Sequence, residues 1–154
     1  MSVAIKKSSN IFVTGSCDAN SKIFDVRAGK NSVATFAGHE SDINSVCFFN
    51  DINCIGTGSD DSSCRLYDMR SMQQLNRYVS DNILCGITSV VPSRGGKYLF
   101  AGYDDYNVYA WDVLSGEPAM TTTAHENRVS CIDINRDGLA LATGSWDTFV
   151  KIWA

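Results

Sequence analysis

At 154 residues, with 44% hydrophobic and 19% charged side chains, the chain has the composition of a globular core, not of a disordered or fibrous segment. A net charge of −4, with no basic cluster beyond Lys6-Lys7, gives nucleic acid no electrostatic footing. No apolar run approaches the ~20 residues that span a bilayer, and Met1 to Lys7 lacks the apolar core of a secretory signal, so direct membrane insertion is not expected.

In chain order the apolar pattern has a period of two throughout, with no helical stretch of any length. Met1 to Ile5 reads as a short apolar strand, followed by a polar turn from Lys6 to Asn10. Strands are expected over Ile11–Thr14 and Ser21–Asp25, then over Val33–Phe36 after the turn at Gly29-Lys30. The next set runs Ile43–Phe48, Cys54–Gly58, Ser63–Asp68 and Gln74–Tyr78. A third runs Ile87–Val91, Tyr98–Ala101, Asn107–Asp112 and Ala119–Thr123, and a fourth Val129–Asn135, Ala140–Gly144 and Phe149–Trp153. Turn signals such as Arg94-Gly95-Gly96 and Arg136-Asp137-Gly138 fall between strands.

The last hairpin, Thr143 to Trp153, is a template for the other three. The glycines before each turn, Gly15, Gly58, Gly102 and Gly144, are spaced by 43, 44 and 42 residues. Each is followed by a turn aspartate, Asp18, Asp61, Asp105 or Asp147, whose short carboxylate can accept backbone N–H bonds that the reversal leaves open. Six residues further comes an aromatic, Phe24, Tyr67, Trp111 or Trp153, the first three followed by Asp. His39 and His125 each lie 22 residues before a turn aspartate. This period, strand pattern and aromatic–Asp ending identify a WD-repeat propeller blade. The expected fold is all-β: a partial β-propeller of about four four-stranded antiparallel blades. It forms a single WD-repeat region over 1–154, with approximate repeats 1–37, 38–79, 80–123 and 124–154. The chain starts in an inner strand and stops one residue after a third strand, which is expected of a fragment of a longer propeller.

Catalysis finds no support. There is no nucleophile elbow, phosphate loop or metal motif, and Asp60-Asp61 and Asp104-Asp105 are turn neighbours, not carboxylates converging in a pocket. No catalytic residue, cofactor or metal is expected. Cys17, Cys47, Cys54, Cys64, Cys85 and Cys131 contain no Cys-x-x-Cys pair and mostly fall in expected strands. They read as buried free thiols of a reducing compartment, which places the chain in the cytoplasm.

Several stretches narrow the family. Phe36-Ala37-Gly38-His39-Glu40-Ser41-Asp42-Ile43-Asn44, Gly58-Ser59-Asp60-Asp61, Cys64-Arg65-Leu66-Tyr67-Asp68 and Ser80 to Ser89 resemble the beta subunit of heterotrimeric G proteins. Ala101 to Asp105, Asn127 to Cys131 and the terminal hairpin continue the likeness over essentially the whole chain, as blades four to seven of a seven-bladed propeller. The resemblance implies a non-catalytic platform in receptor-coupled signalling. Its partners would be the alpha subunit, effectors and a gamma subunit, most of whose site is missing here. Localisation would be at the inner face of the plasma membrane through the lipidated gamma partner. The alternative is a generic WD-repeat scaffold for another multiprotein complex.

The resemblance also implies a blade network in which Asp orients His and a Trp N–H reaches a hydroxyl. His125, Thr143, Asp147 and Trp153 could supply all four members; His39, Thr57 and Asp61 supply three, ending in Tyr67. The third repeat has Ser80 near the histidine position and Ala101 at the hydroxyl position, and Phe24 has no donor. The residues just before the turn aspartates, Cys17, Asp60, Asp104 and Trp146, are expected on one propeller rim by rotation. A Trp facing solvent there suits an interface anchor. In the resembled family this face binds the alpha subunit, and Asp42, Asn44 and Arg128 match further contact positions.

Overall fold

The computed structural model describes residues 1–7, 9–49 and 52–154, which form four antiparallel sheets. The first contains β1 (Ser2–Ile5), β2 (Ile11–Gly15), β3 (Ser21–Asp25) and β4 (Ala34–Phe36) in that order. The second contains β5 (Ile43–Phe48), β6 (Cys54–Ser59), β7 (Cys64–Asp68) and β8 (Gln73–Tyr78). The third contains β9 (Ile87–Pro92), β10 (Tyr98–Tyr103), β11 (Asn107–Asp112) and β12 (Pro118–Thr123). The fourth has three strands, β13 (Val129–Ile134), β14 (Leu141–Ser145) and β15 (Val150–Trp153). One 3-10 turn, Val26–Ala28, interrupts the strand pattern where Asp25 accepts a bond from the Arg27 N–H.

The sheets are the blades of a partial propeller. β1 packs on β5, β5 on β9 and β9 on β13, so the inner strands surround a channel lined at one end by Ala4, Val46, Val90 and Ile132. What sets the blades side by side is a repeated fit of branched side chain onto glycine. A Cβ added at Gly15 would lie 2.6 Å from Ile43 Cγ2, at Gly58 2.6 Å from Ile87 Cγ2, and at Gly102 2.8 Å from Val129 Cγ1. These glycines are required by space, since each second strand must admit the next blade's Ile or Val. A Cβ at Gly144 meets only Cys131 Sγ of its own blade.

A second repeated device is a hydroxyl staple. An inner strand is a sheet edge, so some of its N–H groups point away from its own ladder and need another acceptor. Ser2 Oγ accepts from the Val46 N–H at 3.4 Å, Ser45 Oγ from Val90 at 3.0 Å, and Ser89 Oγ from Ile132 at 3.2 Å. Cys131 holds the same register opposite Gly144 in the fourth blade. Ser45→Ala is expected to cost about 1 kcal/mol, the net worth of one such bond, seen as a lower urea midpoint at unchanged slope. An unchanged midpoint would mean that the Val90 N–H needs no partner.

Three core clusters correspond to the three interfaces between blades. The one between the second and third blades holds Phe49, Tyr78, Leu99, Tyr103 and Trp111. Between the first and second lie Ile23, Phe36, Ile55 and Tyr67. The third cluster is smaller, with Val108, Ala124, Val129 and Ile132 buried. The expectation of buried cysteines holds for Cys47, Cys54 and Cys64 and fails for Cys17 and Cys131, which are exposed, Cys85 being half-buried. Cys17 lies in a rim turn, and the Cys131 face of its strand has no neighbouring blade. All six thiols are free.

Candidate rim site around Trp146

The rim is built from four identical turns. In each, the aspartate is followed by a residue in the left-handed region: Ala19 (φ 60°), Ser62 (65°), Tyr106 (72°) and Thr148 (73°). That conformation is costly for a side chain, and the carboxylate offsets it by accepting the N–H two residues on. The bonds are Asn20 to Asp18 (3.0 Å), Ser63 to Asp61 (2.9 Å), Asn107 to Asp105 (3.1 Å) and Phe149 to Asp147 (2.9 Å).

Below the turns, the fourth blade has an unbroken chain of donors. Trp153 Nε1–H donates to Thr143 Oγ1 (3.0 Å), Thr143 lies 2.8 Å from His125 Nε2, and His125 Nδ1 lies 2.7 Å from Asp147 Oδ2. The Asp147 carboxylate can only accept, so His125 Nδ1–H donates to it, and the Thr143 hydroxyl joins the Trp153 N–H to His125 Nε2. The Glu126 N–H adds a further bond to Asp147 (3.2 Å). Burial pulls the Asp147 carboxyl upward, but the bonds from Phe149, Glu126 and His125 outweigh it and hold the pKa at about 2.

The second blade repeats this with Asp61, His39 and Thr57, at 2.8 Å and 2.6 Å, and a Glu40 N–H bond of 3.1 Å. Tyr67 cannot reach Thr57 and donates instead to the Ala37 carbonyl (3.4 Å). The third blade departs further. Ile83, not Ser80, stands 22 residues before Asp105 and is buried, while the Tyr109 hydroxyl donates to Asp105 (2.8 Å) in the histidine's stead. With Ala101 at the hydroxyl position, Trp111 Nε1 is buried without a hydrogen-bond partner. In the first blade Phe24 simply stacks on Phe12, with ring centres 5.0 Å apart.

These networks fix the residues that precede each aspartate. The N–H groups of Asp60, Asp104 and Trp146 bond to the carbonyls of Asp42, Gly86 and Arg128, each 18 residues earlier. The Asp60 and Asp104 side chains then lean toward the following blade. Asp60 lies over Gly86, where an added Cβ would come 2.5 Å from Oδ1 and would push the carboxylate aside. Asp104 Oδ1 pairs with Arg128 Nε at 2.9 Å. Cys17 faces Asp42, whose carboxylate holds the thiol pKa above its ordinary value. Trp146 is 63% exposed, with the Arg128 guanidinium 4.7 Å from its ring centre.

Asn44, Asp60, Asp104, Arg128 and Trp146 thus converge on one depression of about 410 Å³ at the mouth of the channel. Asp42 borders it through Asp60, and Cys17 stands one blade further off. Thr88 and Ser130 also line it. They hold the register of Asn44, one residue before Ser89 and Cys131, and that equivalence was the sequence signal for them. Asn44 Nδ2 bonds to the Ile87 carbonyl (2.9 Å) and Thr88 Oγ1 to that of Val129 (2.5 Å), so these side chains tie neighbouring blades. Two carboxylates, Asp60 and Asp104, against the one guanidinium of Arg128 leave the depression acidic, beside one exposed indole. Among the described residues no group of three or more His, Cys, Asp or Glu could hold a metal, and no helix is long and apolar enough to cross a membrane.

A family model described as G protein beta WD-40 repeat protein matches residues 1–154. A guanine nucleotide-binding protein subunit beta from Oryza sativa subsp. indica is 46% identical over 164 residues, covering 100% of this chain and 43% of the relative. The subunit beta from Arabidopsis thaliana is 46% identical over 162 residues, with the same two coverages. That from Zea mays is 45% identical over 163 residues, covering 99% and 43%. The chain therefore spans less than half the length of the curated relatives it matches.

Proposed function

The chain belongs to the G protein beta WD-40 repeat family, and on that premise we propose that it is a non-catalytic binding platform in receptor-coupled heterotrimeric G-protein signalling. The Trp146 rim is the surface that meets the alpha subunit and, in competition with it, effectors. The observation that carries this reading is the gathering of Asn44, Asp60, Asp104, Arg128 and an exposed Trp146 at one channel mouth. A large exposed indole ringed by half-exposed charges has the make-up of an interface centre. The acidic surround suits a partner that offers an apolar socket flanked by lysine or arginine.

In this reading the 154 residues are the carboxy-terminal blades of a beta subunit, most of the gamma-subunit site lies outside them, and a lipidated gamma partner holds the assembly at the inner face of the plasma membrane. Capture by an immobilised GDP-bound alpha subunit tests it, with the chain joined to its amino-terminal blades and a gamma subunit. Retention that is lost when the alpha subunit is activated is the expected result. Equal failure with both nucleotide states would leave a scaffold of some other complex as the better description.

A further inference from the structure

The interface between the third and fourth blades lacks a ring that the other two possess. In the first blade Phe36 pairs with Ser21, and in the second Tyr78 pairs with Cys64. Each of these rings packs against the third-strand aromatic of the next blade, Phe36 on Tyr67 at 5.0 Å and Tyr78 on Trp111 at 6.1 Å between ring centres. The same register in the third blade, opposite Val108, is held by Thr122. A second truncation lies beside it: Ile23 and Leu66 in the first two blades correspond to Ala110 in the third. Phe100, at the register of Val13 and Gly56, lines the space left there but does not fill it.

The result is a cavity of about 340 Å³ lined by Val108, Ala110, Thr122, Leu141 and Trp153, with Met120 and Leu139 exposed beside it. No ionisable side chain lines it. The Trp153 N–H is already committed to Thr143, which leaves the indole face to the cavity and the Thr122 hydroxyl as the side-chain polar group at hand. A volume of this size falls in the range of small-molecule sites. It is more than one phenyl ring fills, and it is too small for a length of peptide.

We propose that this inter-blade slot binds a neutral fused-ring aromatic molecule carrying at most one hydroxyl, stacked on Trp153 where the other two interfaces supply a ring of their own. The site is separate from the rim and does not rest on the reading given to it. Offset stacking on an indole and removal of apolar surface from water are the attractive contributions, and a charged ligand would find no charged side chain in the lining to pair with.

The test titrates 2-naphthol against the full chain, reading Trp153 through its indole N–H resonance. Saturable one-to-one binding with a shift at Trp153 and none at Trp146 is expected. Thr122→Tyr, which restores the missing ring, should weaken binding at least about tenfold. Thr122→Val, which keeps the space, should hold the affinity within about twofold. Ala110→Leu, which refills the slot from its other wall, should act as Thr122→Tyr does, and covers the case in which the tyrosine variant does not fold. Binding that is indifferent to both filling variants, or non-saturable uptake onto the exposed apolar strands, overturns the proposal.

Discussion

Replacing Asp61 by alanine lowers the stability of the fold by about 3 kcal/mol, the cost of stranding buried polar partners. Its carboxylate is 5% exposed and accepts from His39 Nδ1 (2.8 Å), Glu40 N–H (3.1 Å), Ser63 N–H (2.9 Å) and Ser63 Oγ (2.6 Å). Arg65, itself buried, lies 3.9 Å away. Alanine leaves the imidazole and the guanidinium buried without that charge and frees the left-handed Ser62 from its tether. Asp61→Asn keeps the shape but turns an NH2 toward a donor, so it should fall between parent and alanine.

The pH dependence gives a second reading of the same residue. Burial would raise the Asp61 carboxyl above its ordinary 3.8, but the bonds from His39, Ser63 and the Glu40 N–H win and hold it well below. A depressed carboxyl contributes its stabilisation in full above the unfolded value and loses it as pH falls through the folded one. Urea midpoints of parent and Asp61→Ala should therefore stand apart at neutral pH and approach each other below about pH 4. Parallel pH curves, or a neutral-pH loss under about 0.5 kcal/mol, a surface-sized effect, would sink this account of the turn.

The blades were legible because their markers are forced by local contacts that recur with the chain's own period. Gly15, Gly58 and Gly102 each admit the next blade's branched residue, and each turn aspartate tethers a left-handed residue, so these markers return with the blade period. Rotation placed Cys17, Asp60, Asp104 and Trp146 on one rim from sequence spacing alone; the last three line one depression and Cys17 stands a blade away from it. What stayed hidden depends on contacts between blades that a single strand does not display. Ser2, Ser45 and Ser89 look like ordinary strand serines until the next blade's N–H is seen above them. Tyr109 could not be identified as a substitute for histidine, because it reaches Asp105 from the third strand and not from the loop before the inner strand. The slot beside Trp153 is an absence of volume, readable only after strand pairing puts Thr122 in register with Phe36 and Tyr78.

Trp146→Ala is expected to weaken alpha-subunit binding by 2 kcal/mol or more, roughly thirtyfold, as truncation of a central interface Trp commonly does. The structure gives a reason for its weight. The Trp146 backbone is pinned by its N–H bond to the Arg128 carbonyl, and the Arg128 guanidinium rests 4.7 Å from the ring centre while Asp104 holds that guanidinium from the other side. The indole is thus 63% exposed and yet fixed before any partner arrives, so little side-chain freedom remains to be lost on binding. Asp104 and Arg128 are both about one-third exposed, and such a pair contributes only about 0–1 kcal/mol by itself. Asp104→Ala should therefore cost less than about 1 kcal/mol, and act more on association rate and its salt dependence than on dissociation. Surface plasmon resonance against an immobilised GDP-bound alpha subunit, with the amino-terminal blades and gamma subunit present, separates the two variants. Because Trp146 lies outside all three core clusters, its removal should leave the unfolding midpoint where it was. If Trp146→Ala binds like the parent, the anchor lies elsewhere and the rim loses its main support; if Asp104→Ala matches Trp146→Ala in dissociation rate, the clamp on the ring, not the ring's own contact area, sets the affinity.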